Sequence, residues 1–145
     1  MNSNSNTKLP ALFWTVAIAA VIWNVLGVVA YFMEVTMSEE AMAALPEVQQ
    51  ALYAAQPAWV TGAFAIAVFG GLGGSIALAL RKGIATAIFV VSLVAVIAQM
   101  FYAFAMSNML SVMGASSAVM PSLIIVIAAA LVWFSTRSKA KGWTG

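Results

Sequence analysis

A chain of 145 residues that is 64% hydrophobic and only 7% charged lacks the surface of a soluble domain, which needs roughly a quarter charged residues. Its six basic and four acidic residues give a net charge of +2, with no basic patch dense enough to hold nucleic acid. The absence of Cys and His excludes disulfides, thiolate nucleophiles, haem ligation through His and nearly every zinc or copper site. One membrane domain covering residues 1–145 is the organisation this length and composition predict.

In chain order, Met1–Lys8 reads as a polar, frayed tail. An apolar run from Ala11 to Met33 follows, long enough as a helix to cross a bilayer core of ~30 Å. It is too long for the apolar core of a signal peptide and carries Trp14, Trp23 and Asn24, so it is expected to stay as the first span. All four acids of the chain, Glu34, Glu39, Glu40 and Glu47, then fall within fourteen residues. Ser38 is a good N-cap with Glu39 and Glu40 in the first turn, and Pro46 suits the start of a second short helix through Gln49, Gln50 and Tyr53. Residues 38–55 therefore predict a helical cap on the membrane surface, with Met42, Leu45, Val48 and Leu52 facing bundle or lipid; a loop is the alternative.

Further spans are expected over 57–80, 84–106 and about 118–136. They are separated by the Arg81-Lys82-Gly83 turn and the neutral connector Ser107–Ser117, and a basic tail from Arg137 to Gly145 closes the chain. Four spans place Lys8, Arg81, Lys82, Arg137, Lys139 and Lys141 on one side and the acidic cap on the other. By the Lys/Arg bias the predicted fold is an all-α, four-helix membrane bundle with both termini cytoplasmic and the cap outside.

Inside a bilayer, helices are held by close packing and a few polar contacts. On the second span Trp59, Ala63, Ala67, Gly70, Gly74 and Ala77 recur at spacings of four and three, and Gly70 to Gly74 is a GxxxG. Such a face lets another backbone approach, either within the subunit or across a homo-oligomer. On the first span Asn24 and Tyr31 share a face with Ala17, Ala20 and Gly27, and on the third Gln99 and Tyr102 share one with Ser92 and Ala95. Measured from Pro10 and Gly83, Asn24 and Gln99 sit ~21 and ~24 Å up their helices. Buried amides need partners, so the two are expected to bond across the bundle or to backbone, with Tyr31, Tyr102 and Glu34 continuing the column outward. The column is either interhelical glue or a pocket for a neutral polar molecule. No charged residue lies at mid-membrane, where ion-coupled carriers usually keep one. The small multidrug transporters depend on a membrane-embedded Glu in the first helix, and here that depth carries only Asn24.

Trp23-Asn24…Gly27…Tyr31, the stretch Met37-Ser38-Glu39-Glu40-Ala41-Met42-Ala43-Ala44-Leu45-Pro46, Pro57-Ala58-Trp59…Gly62-Ala63-Phe64-Ala65, Gly70-Gly71…Gly74 and Arg81 resemble a family of small bacterial inner-membrane proteins. Many of its members carry the loose label "sugar transporter". The resemblance covers roughly residues 14–104 and implies a multi-pass setting in the bacterial inner membrane, without assigning any functional residue.

Catalysis is not expected, since no nucleophile, acid–base pair or metal cluster is set in the spans. No cofactor or metal site is expected either. The four glutamates lack the alternating oxygen ligands and loop glycine of a calcium loop and read as a solvated acidic face. Two functions fit: a non-enzymatic protein that self-assembles or joins a larger membrane complex, or a minimal oligomeric transporter for a small neutral solute such as a sugar.

Overall fold

A computed structural model describes residues 9–145; the polar stretch Met1–Lys8 lies outside the described residues. Four long helices carry the fold: α1 (Ala11–Val35), α4 (Ala58–Ala79), α5 (Ala85–Phe101) and α7 (Val119–Ala140). The cap consists of α2 (Glu39–Ala43) and α3 (Glu47–Ala55), and α6 (Met109–Met113) stands in the connector. Run length and punctuation explain the four long helices and the cap. Pro10, Pro46 and Pro57 precede α1, α3 and α4 as extended N-caps, where a proline's missing N–H costs nothing. The four long apolar segments are each long enough to cross a membrane.

Three boundaries differ from expectation. The third span leaves α-helical geometry at Phe101 and ends in a π-helical turn, Tyr102–Met106. The connector, read as neutral loop, holds α6 and a 3-10 turn, Ala115–Ala118. The fourth helix runs on to Ala140, so Arg137 and Lys139 lie in its last turn, where cations favour the negative helix end.

The helices pack in the order α1, α4, α5, α7. A third of the most apolar stretch of α4 is buried (33%), against 6% for α7, so α4 is central and α7 peripheral. Small residues explain the α4–α5 contact. A Cβ at Gly74 would come within 2.7 Å of Phe89 Cδ1 and one at Gly70 within 3.3 Å of Ser92 Cβ, while the Ser92 hydroxyl donates to the Ala67 carbonyl at 2.7 Å. The face Ala67, Gly70, Gly74 is thus occupied within the chain by α5, with Ala77 buried below it. Trp59, at the outer end of that face, is 47% exposed and meets Tyr102 edge to face at 5.8 Å; Ala63 lies beside it, half-buried.

At the basic end, α4 and α7 both close with a residue in the left-handed region followed by a bond back across six residues. Arg81 (φ 60) is followed by Lys82 N–H to Ala77 O, and Gly142 (φ 74) by Trp143 N–H to Ser138 O. The turn and the tail are joined: Gly83 N–H bonds Gly145 O, Gly145 N–H bonds Arg81 O, and Arg81 Nε donates to Trp143 O at 2.9 Å. Trp143 packs under Phe13 and Phe134, closing α1 onto α7 there.

At the acidic end Ser38 Oγ accepts from Ala41 N–H, capping α2, and Gln50 Nε2 donates to Ala43 O and Leu45 O, tying α3 to α2. Met42, Leu45 and Leu52 are half-buried, but Val48 is exposed. Burial of Tyr53, and then the Glu34 charge, raise the Tyr53 phenol above its usual 10.0. The fold favours the neutral phenol, so the stability this contributes is whole below pH 10.0 and is lost as pH rises through the raised value. An absorbance titration, differenced against Tyr53→Phe, is expected to show that late ionisation. Glu34→Gln should move it only part of the way back, because burial is the larger cause.

Candidate functional site

Where α1 and α7 separate above the Phe13–Phe134 contact, the four long helices enclose a cavity of about 410 Å³. α4 and α5 form its floor through Gly71 and Val96, among others, and α1 and α7 form its walls. Its rims include Leu26 and Met120, which are 60% and 56% exposed on the outer faces of α1 and α7, so the opening is sideways, toward lipid. The lining is overwhelmingly apolar. Among the described residues that line it, only Trp23, Asn24, Ser92 and Gln99 carry polar side-chain atoms, and none is charged.

Asn24 is 8% exposed, and its amide is held on one side by the sequence of α4. Nδ2 donates to Ala20 O at 2.9 Å and to Ser75 Oγ at 3.0 Å, and Ser75 Oγ in turn donates to Gly71 O at 2.7 Å. Asn24 Oδ1 rests against the bare Cα of Gly71, where any Cβ would overlap it. Gln99, half-buried, has no hydrogen-bond partner among the described residues. Both Asn24 and Gln99 reach one cavity, but they are not paired, and they are not at one depth. Asn24 is level with Gly71 and Ser75, whose chain neighbours Gly70 and Gly74 meet Ser92 and Phe89 of α5, leaving Gln99 ~10 Å further toward the acidic end. The matched depths assumed that equal height along two helices means one level, and the packing of Asn24 on Gly71 and Ser75 shows that it does not.

The rest of the expected column lies outside the cavity. Tyr31 stands in an aromatic cluster with Phe32, Phe64 and Phe69 at 5.5 to 5.7 Å. Glu34 Oε1 accepts from Gln56 Nε2, which also donates to Thr61, so this pair joins α1 to α4. Tyr102 donates its hydroxyl to Ala55 O, holding the end of α5 to α3. Among the described residues no three of His, Cys, Asp and Glu gather as a metal site would require.

Ser75 and Gly71 are the residues that sequence reasoning missed. Their signal was present as a small polar residue one turn from a glycine, on the side of α4 away from the GxxxG. A double-mutant cycle is expected to find Asn24→Ala and Ser75→Ala coupled by about 0.6 kcal/mol, the usual worth of an interhelical bond in a bilayer. Asn24→Ala and Gln99→Ala are expected to add without coupling. Compared with family models, curated proteins and solved structures, the chain matches none of them.

Proposed function

We propose that the protein is a non-enzymatic, multi-pass protein of the bacterial inner membrane that works by binding in the α1–α7 cleft. Its termini lie on the cytoplasmic side and its acidic cap outside, on the strength of the Lys/Arg bias. The observation that carries the binding reading is the unpaired Gln99 amide in a cavity of about 410 Å³ that opens sideways into the membrane. Lipid tails cannot satisfy an amide, so such a group inside a bilayer is costly unless something polar meets it.

The lining narrows what could bind. A sugar would bring many hydroxyls into a cleft with four polar side chains, one of which, Asn24, already spends both its N–H groups within the chain. A mostly apolar molecule with one polar group suits it better, so the "sugar transporter" label of the resembling family is not adopted. The second reading is a subunit of a homo-oligomer or larger membrane complex, favoured by the exposed rims at Leu26 and Met120, where a partner's helix could close the bundle.

Native mass spectrometry after gentle extraction from the protein's own membrane separates the two. Retained small molecules of defined mass are expected; a stoichiometric foreign subunit with no such adduct would favour the assembly reading instead.

A further inference from the structure

The polar groups of the cleft are graded along its length. From Gln99 down to Phe89 the wall of α5 runs ~15 Å, and beyond Ser92 and Asn24 the lower end is closed by Phe89, Ile127 and Leu131. Ser92 donates its hydroxyl hydrogen to Ala67 O, and both N–H groups of Asn24 are used, so the free donors among the lining side chains are the Gln99 amide and the Trp23 indole N–H, and of these two Gln99 alone also offers an acceptor. Gln99 offers both an N–H₂ and a carbonyl, which match an oxygen head that accepts, or that both accepts and donates. It lies ~10 Å short of Met106, the outer end of its span. A charged head is refused twice over: no cation or carboxylate lines the cleft, and a phosphate kept at the interface would hold its esters above that level.

Resting on the ligand-binding reading above, we propose that the cleft seats one chain of an uncharged lipid entering between α1 and α7. Its hydroxyl or ester oxygen bonds Gln99, and its hydrocarbon runs down toward Phe89 and Leu131. The head stays in the outer part of the bundle, the chain fills the dry lower part, and any surplus length leaves through the gap beside Leu26 and Met120.

Three photoreactive probes test this on the full chain in phosphatidylcholine nanodiscs. They are hexadecanol, methyl hexadecanoate and hexadecane, each with a diazirine near the far end of the chain. Adduct mapping is expected to place the alcohol or the ester on Phe89, Ile127 or Leu131, and the stronger of the two identifies the head. Gln99→Leu should lower that labelling roughly ten-fold, about the worth of one hydrogen bond, and leave the hexadecane signal unchanged. Because Gln99 bonds nothing among the described residues, Gln99→Leu and Gln99→Met should not lower the thermal unfolding midpoint, so lost labelling cannot be ascribed to lost folding. Equal cleft labelling by all three probes in both proteins would overturn the lipid-head proposal while leaving a binding cleft. Labelling confined to outer faces such as Val94 and Val126 would remove the cleft as a ligand site as well. Efficient disulfide dimers between chains carrying Leu26→Cys and chains carrying Met120→Cys, with no cleft adducts, would show a second copy in its place.

Discussion

Gly71→Ala is expected to destabilise the bundle by about 2–3 kcal/mol, at the upper end of what overpacking costs. A methyl there would overlap Asn24 Oδ1, and Asn24 has nowhere to retreat without releasing Ala20 and Ser75. Gly73→Ala, two residues along, is the control. Its nearest neighbour, Ile88 Cγ2, is an ordinary 3.9 Å away, so the change should be neutral or gain up to about 1 kcal/mol from helix propensity. Unfolding in mixed micelles with increasing SDS measures both. The mechanism makes a sharper demand: in an Asn24→Ala background the cost of Gly71→Ala should largely vanish. An undiminished cost there would mean that the glycine serves the backbone, not the amide.

Phe13→Ala should cost about 2 kcal/mol and loosen the basic end. Phe13 is fully buried, with Trp14, Phe134 and Trp143 around it at 5.3 to 6.2 Å. In a soluble core this truncation costs about 3–5 kcal/mol, part of it for transfer to water. Here the transfer part shrinks because the separated helices stay in hydrocarbon, leaving mainly lost packing. Leu12→Ala, at a residue 61% exposed, should cost almost nothing. A shift in Trp143 fluorescence and faster proteolysis beyond Ala140 should accompany Phe13→Ala alone; equal effects from the two would mean that the aromatic contact does not hold the tail.

The spans were legible because a helix crossing a bilayer needs a long apolar run and little else, and Ser38, Pro46 and Pro57 mark the starts of the two cap helices and of α4 through local backbone chemistry. The connector was not. Ser107–Ser117 has neither charge nor apolar periodicity to announce α6, and nothing in Tyr102–Met106 marks a π-helical turn. Arg137 and Lys139 were read as tail by their charge, although cations are at home in a last helical turn. The cavity was half legible: Asn24 and Gln99 stand out as amides in apolar runs, but height along a helix does not reveal where neighbouring helices start. Only the packing of Asn24 on Gly71 and Ser75 shows the offset, and with it that Ser75 and not Gln99 is the partner.

The serial packing order makes this molecule a folded strip and not a closed ring. Each inner helix is gripped on two sides, while α1 and α7 are each gripped mainly on one and pinned to each other at the basic end. Opening under load or denaturant should then be hierarchical. The flank of α7 nearest the connector exchanges its amide hydrogens first, the Phe13–Trp143 clasp yields next, and the α4–α5 pair, with Gly70 and Gly74 pressed on Ser92 and Phe89, parts last. A breathing motion of that kind would widen the mouth of the cleft without disturbing its floor.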